Sequence, residues 1–156
     1  MFFFGYKISL THAQVVINEV LPNPVGDDSG AELIELYSKT DSPLSLDGCI
    51  LYFHETDNYQ KVVFNAGDFI DKYKVISSGG EWIRNTGDQI RLICTSFNDS
   101  VSFGDMTDSV VAAPNEGLTF GRSPDGTGGF YLLSSETMTN GGSSNSSPIS
   151  QFPLGS

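Results

Sequence analysis

The chain has 156 residues, the usual size of a single domain, and its 19 acidic and 8 basic residues give a formal net charge of -11. That charge repels phosphate polyanions, so it disfavours direct nucleic-acid binding and favours a protein that stays in solution. Charged residues are sparse at 17%, while the 17 Gly, 7 Pro, 11 Phe and 6 Tyr are typical of short aromatic strands between tight turns. We therefore expect one all-β domain.

The N-terminal segment, residues 1–14, is apolar at its start and then small and polar, which resembles the back half of a secretory signal peptide. We expect an exported protein, located outside the cell or on its surface. An N-terminal edge strand is the alternative interpretation of the same residues. Nothing after this segment approaches the ~18 consecutive apolar residues that a membrane-spanning helix needs, so we expect no membrane span.

The first two predicted strands, residues 15–21 and 31–37, are apolar runs that contain three carboxylates, those of Glu19, Glu32 and Glu35. Burying a lone carboxylate costs several kcal/mol. We therefore expect these three side chains to face outward or to pair with a cation.

Arg122 is the cation that we expect to form such a pair. Its planar guanidinium can bind the carboxylate of Glu19 or Glu35 through two parallel hydrogen bonds. The alternative is that Arg122 binds an anionic partner instead.

Seven further short strands are predicted from alternating or β-branched runs bounded by Gly, Asn and Asp. They cover residues 48–54, 60–64, 69–77, 88–94, 109–112, 118–121 and 130–133. About nine short strands without a convincing helix predict a β-sandwich or a barrel.

The two cysteines, Cys49 and Cys94, are too few for a zinc site of the CxxC type. Each alternates with apolar residues and so is predicted to point into the core. Two buried free thiols are the favoured outcome. A single disulfide between them is the alternative if the protein is exported.

From Asn140 onward the chain is rich in Ser, Gly and Asn and has no apolar pattern. Residues 140–156 are therefore predicted to be a flexible tail or linker, which places the domain at residues 15–139. Such a linker is typical of a module that belongs to a larger protein.

Five motifs along the chain resemble, in the family's order, the lamin-tail domain in its bacterial and archaeal form. They are Ile17-Asn18-Glu19-Val20 with Pro22-Asn23-Pro24, Glu32-Leu33-Ile34-Glu35-Leu36-Tyr37, Leu44-Ser45-Leu46-Asp47-Gly48, Asn85-Thr86-Gly87-Asp88, and Gly121-Arg122-Ser123-Pro124-Asp125-Gly126. The resemblance implies an immunoglobulin-like β-sandwich that serves as a non-catalytic accessory module. We accordingly expect an interaction or tethering module of an exported or cell-surface protein, whose partner is another protein or a surface polymer.

A calcium site is the first alternative. Asp27 and Asp28 lie in a Gly-flanked loop with Glu32 just beyond it, and calcium prefers several oxygen ligands from a flexible loop. The spacing of an EF-hand is missing, and a solvated acidic turn explains the same residues. Calcium is the only cofactor that the sequence suggests.

Carbohydrate binding is a further alternative, because exposed aromatic rings can stack on sugars. The candidates are Tyr52, Tyr59, Trp82 and Tyr131, although Trp82 is predicted to lie in the core.

A small hydrolase is the last alternative, and we expect no enzyme. His54 is followed by Glu55 but lacks the second His of a zinc protease motif. The carboxylate pairs Glu32 with Glu35 and Glu19 with Glu35 would need a cleft and one raised pKa to serve a glycosidase.

Overall fold

The computed structural model describes residues 13–133. Most of the predicted leader lies outside the described residues, as do the predicted domain end at residue 139 and the predicted tail. Between residues 13 and 133 the chain forms strands and turns only, which confirms the all-β prediction. None of these residues belongs to a helix that could cross a membrane.

Eleven strands follow one another along the described chain. They are β1 (Val15–Leu21), β2 (Leu33–Ser38), β3 (Leu44–Ser45), β4 (Ile50–Tyr52), β5 (Lys61–Val63), β6 (Phe69–Ile70), β7 (Tyr73–Ser77), β8 (Gln89–Ile93), β9 (Asn98–Ser102), β10 (Phe120–Ser123) and β11 (Gly129–Leu132).

The strands form a five-stranded sheet in the order β11-β10-β1-β2-β7 and a four-stranded sheet in the order β5-β4-β8-β9, with β3 and β6 as a separate pair. Every pairing is antiparallel. The two larger sheets contribute buried side chains to one core. These include Ile17, Val20, Ile34 and Leu36 from the first sheet, and Leu51, Ile90, Leu92 and Val101 from the second. This arrangement is consistent with a β-sandwich.

A β-bulge at Asn18 decides which way the acidic residues of β1 and β2 point. Ile17 pairs with Leu36 and Glu19 pairs with Glu35, so Asn18 is the extra residue in β1. The bulge lets Ile17 and Val20, three residues apart, both reach the core. Glu19 therefore lies on the side of the sheet that faces away from the core.

The strand predictions fail at four places. The short strand β3 was not predicted, and the predicted strand 69–77 is two strands, β6 and β7, which belong to different sheets. Residues 109–112 form no strand, because the Ser109 hydroxyl donates to the carbonyl oxygens of Gly104 and Met106 in a turn. Conversely, β9 was not predicted, because only Val101 of its five residues belongs to the core cluster. It forms because all five residues pair with β8.

The prediction of two free thiols is wrong, since Cys49 and Cys94 are joined by a disulfide with an S–S distance of 2.03 Å. Strand pairing explains the bond. Ile50 pairs with Ile93 in adjacent antiparallel strands, so the residues immediately before and after them lie opposite each other. The sequence cannot supply this pairing.

We expect the C49A/C94A double variant to be less stable by about 2 to 4 kcal/mol, because the disulfide closes a long loop in the unfolded chain. Urea unfolding of both proteins, with and without reductant, measures the difference. An equal free energy of unfolding for the oxidised wild type and the double variant would contradict this prediction.

Candidate functional site on the outer face of the four-stranded sheet

Glu32 is fully buried and holds a distant loop, contrary to the expectation that it faces outward. Its two carboxylate oxygens accept the backbone N–H groups of Trp82 and Ile83, each at 2.9 Å. Burial raises the pKa of Glu32 to about 7, and the nearby Asp28 acts in the same direction. The two backbone hydrogen bonds and a side-chain hydrogen bond from Ser78 oppose this shift.

Asp27 and Asp28 do not join Glu32 in a calcium site. Asp27 Oδ1 accepts the backbone N–H of Ser29 at 2.9 Å, and Asp28 Oδ2 accepts the Asn85 side-chain amide at 2.8 Å. Across residues 13–133, no group of three or more His, Cys, Asp or Glu side chains is arranged to hold a metal ion. The three predicted ligands instead bind protein donors and shape the loops.

Glu19 and Glu35 are also fully buried, so the expectation that they face outward into solvent is wrong. Glu19 Oε1 accepts the Thr119 hydroxyl at 2.6 Å, and Glu35 Oε1 accepts the Asn18 side-chain amide at 2.9 Å. The Asn18 amide also lies 3.2 Å from Asp125 Oδ1. These contacts cover the outer side of the five-stranded sheet with the loop that contains Asp125.

The same loop contacts the half-buried Tyr73, whose hydroxyl donates to Asp125 Oδ2 at 2.7 Å. Burial raises the pKa of the Tyr73 phenol, and the hydrogen bond to Asp125 raises it further. Tyr73 therefore remains a protonated donor that fixes the loop.

Arg122 pairs with Asp99, a residue that the sequence analysis did not single out, at 3.4 Å. Gly121 lies opposite Glu19, so the next residue, Arg122, points to the other face of the sheet. Its guanidinium also donates to the backbone oxygen of Ile17 at 3.0 Å and lies over the Phe130 ring at 4.4 Å. Arg122 thus ties β10 to β9 and β1, in place of the predicted pair with Glu19 or Glu35.

His54 serves a structural role in the hairpin loop between β4 and β5. Its Nδ1 accepts the backbone N–H groups of Thr56 at 3.1 Å and Asp57 at 3.2 Å, while Nε2 lies 3.6 Å from Asp88 Oδ2. The fully buried Asp88 in turn accepts the backbone N–H of Glu55 at 2.8 Å. Both ring nitrogens of His54 therefore face protein groups.

The four aromatic residues of the predicted sugar platform do not form one surface. Trp82 packs edge-on against Phe53 with the ring centroids 5.1 Å apart, in agreement with its predicted core position. Tyr131 pairs with Gly121 on the five-stranded sheet, whereas Tyr52 belongs to the four-stranded sheet. Tyr59 is 92% exposed in the loop between β4 and β5.

The outer face of the four-stranded sheet carries a row of three aliphatic residues. Ile50 of β4 pairs with Val63 of β5 on one side and with Ile93 of β8 on the other. Their chain neighbours Leu51 and Leu92 point into the core, so this row points outward. Val63 is 47% exposed and Ile93 is 39% exposed. Across three strands, the row is about 10 Å long.

A row of cations around one tyrosine lies beside the aliphatic row. Tyr52 pairs with Lys61 on β5 and with Arg91 on β8. The Lys61 ammonium is 5.8 Å and the Arg91 guanidinium 4.7 Å from the centre of the Tyr52 ring. Arg91 is further oriented by its hydrogen bond to Asn58 Oδ1 at 3.2 Å.

Neither cation is neutralised by a carboxylate of residues 13–133. Within the described part of the chain, Lys61 and Arg91 form no ion pair. The other outward-pointing residues of these four strands are uncharged, namely Ile50, Tyr52, Val63, Gln89, Ile93, Asn98, Ser100 and Ser102. In a chain with 19 acidic and 8 basic residues, this surface is locally positive.

We refer to Ile50, Tyr52, Lys61, Val63, Arg91 and Ile93 together as the cationic face. A shallow open depression of about 360 Å³ borders it and is lined by Arg91, Ile93, Asn98, Ser100 and Asp99. The carboxylate of Asp99 is paired with Arg122. The face offers charged donors, aliphatic surface and a concave edge in one place.

No family model, curated protein or solved structure matches this chain. The function is therefore inferred from the described surface and its chemistry.

Lys61 and Arg91 were not predicted as candidate site residues. A usable signal was the alternation of β8, which places Arg91 between the core residues Ile90 and Leu92 and so on the outer side. The proximity of Arg91 to Lys61 depends on the pairing of β4 with two other strands, which the sequence does not reveal.

Glu32 is expected to make the protein less stable as the pH rises from about 5 to about 8. Its pKa is about 7 in the folded protein and ordinarily 4.5, so within this window the folded state binds more protons than the unfolded state. In E32Q this contribution to the pH dependence should disappear. The difference in free energy of unfolding, wild type minus E32Q, should therefore fall by about 2 to 3 kcal/mol between about pH 5 and about pH 8.

Urea unfolding at several pH values measures this difference. Because Glu81 is exposed, E81Q is the matched control and should keep the wild-type pH dependence. Parallel pH profiles for the wild type and E32Q would exclude the role assigned to Glu32.

Proposed function

We propose that this chain is a non-catalytic interaction module that holds a partner protein against its cationic face. The observation that carries the proposal is the pair of cations Lys61 and Arg91, which lie on either side of Tyr52 beside an exposed aliphatic row. Neither forms an ion pair within residues 13–133. Protein interfaces are enriched in Tyr and Arg and place apolar surface at their centre. The cationic face combines these features.

The absence of a catalytic step is part of the proposal. It is supported by the contacts of the residues that suggested an enzyme. Both ring nitrogens of His54 face protein groups, and both carboxylate oxygens of Glu32 accept hydrogen bonds from backbone N–H groups. A general base needs a free position within hydrogen-bond reach of its substrate.

We further propose an immunoglobulin-like β-sandwich of the lamin-tail type, working outside the cell or on its surface as a tethering module. The motif resemblance and the antiparallel all-β architecture support the fold assignment. The disulfide between Cys49 and Cys94 supports export, because such bonds persist mainly in oxidising compartments.

Site-specific photo-cross-linking tests the interaction. Ser100 is exposed and pairs with Arg91, so p-benzoylphenylalanine at position 100 borders the cationic face. Irradiation in an extract of the source organism should give a discrete cross-linked adduct, identified by mass spectrometry. Excess unlabelled wild-type protein should compete for it, and the V63S/I93S double variant should not.

Position 77 is the matched control, because Ser77 is an exposed strand residue on the other large sheet. The same cross-linker there should give no such adduct. Equal adducts from positions 77 and 100, or none from position 100, would refute a binding role for the cationic face.

A further inference from the structure

We infer that the partner of the cationic face is an acidic polypeptide segment, whose carboxylates bind Lys61 and Arg91 and whose aliphatic side chains cover the row formed by Ile50, Val63 and Ile93. This inference rests on the proposed function and specifies its ligand.

Charge complementarity selects an anionic occupant. The chain has a net charge of -11, so most of its charged side chains repel an acidic ligand. The outward residues of the four-stranded sheet, in contrast, include two cations and no carboxylate. The Arg91 guanidinium is held in place by the Tyr52 ring and by Asn58. A cation that is already oriented loses less conformational freedom when it binds a carboxylate.

The two cations lie close enough together for one short segment to reach both, because each is within 5.8 Å of the centre of the Tyr52 ring. Lys61 and Arg91 lie on the strands that flank β4, and both side chains converge on the Tyr52 ring. Side chains two residues apart in an extended segment point the same way and lie about 7 Å apart. One short segment can therefore present a carboxylate to each cation and an aliphatic side chain to the neighbouring row.

The same geometry disfavours a glycan. A sugar stacks on an open aromatic face, but the Arg91 guanidinium already lies over the Tyr52 ring at 4.7 Å. The aliphatic row gives a sugar few hydrogen bonds. A nucleic acid is disfavoured because it needs many cations to match its closely spaced phosphates, and this face has two.

Binding of fluorescent poly-L-glutamate, followed by anisotropy at low and moderate salt, tests the inference. We expect saturable binding that weakens with salt and that moves amide NMR signals of β4, β5 and β8. K61Q and R91Q should each weaken binding about tenfold, equivalent to ~1.4 kcal/mol. R91K, which keeps the charge, should weaken it less.

K39Q is the matched control, because Lys39 is exposed and lies outside the cationic face. It removes the same charge and should leave poly-L-glutamate binding unchanged. If K39Q lost as much poly-L-glutamate affinity as K61Q and R91Q, the change in net charge alone would explain the effect. The inference would then be overturned.

Four other outcomes would also overturn it. Equal or tighter binding of polygalacturonate would assign the face to a carboxylated glycan. A dimer that forms with rising concentration and is lost in R91Q would assign it to a second copy of the chain. In a third outcome, the wild type does not bind poly-L-glutamate while the adduct from position 100 persists in K61Q/R91Q. That result would refute the acidic segment and leave the proposed function intact. If the wild type neither gives the adduct from position 100 nor binds poly-L-glutamate, both the proposed function and this inference are refuted.

Discussion

A carboxylate removed from water must be met by hydrogen-bond donors, and this requirement connects the distant parts of the fold. Glu32 receives the backbone N–H groups of residues about 50 positions away, and Asp88 receives one from the loop between β4 and β5. Asp99 accepts the backbone N–H of Ile17 at 2.8 Å and thereby links β9 to β1. These acids thus hold loops and strands that are far apart in the sequence next to one another.

The cationic face differs from the rest of the protein in how its cations are partnered. Arg84, Arg122 and Lys72 each pair with an acidic side chain. Lys61 and Arg91 lie instead beside a tyrosine, on strands whose outward residues include no acid. Among the described residues, Lys39 and Lys74 also form no ion pair. Lys61 and Arg91 differ from them because both converge on one aromatic ring beside an aliphatic row.

Local alternation in the sequence was enough to predict β8 and much of the core, because a half-buried strand shows its buried face in every second residue. Several of the failures depend on pairing between strands. The polar β9 forms only against β8, and the bulge at Asn18 is visible only in the register with β2. The disulfide likewise follows from the neighbouring pair of Ile50 with Ile93.

The candidate site was hidden from sequence reasoning for the same reason. Acids in apolar strands are conspicuous and proved structural, whereas Lys61, Tyr52 and Arg91 are ordinary residues that become neighbours through two strand registers. A slip of one residue between β4 and β8 would turn Arg91 toward the core and expose Leu92. The disulfide directly beside the Ile50–Ile93 pair opposes that slip, because it fixes which residues of the two strands lie opposite each other. The covalent bond that stabilises the fold therefore also preserves the arrangement of the binding surface.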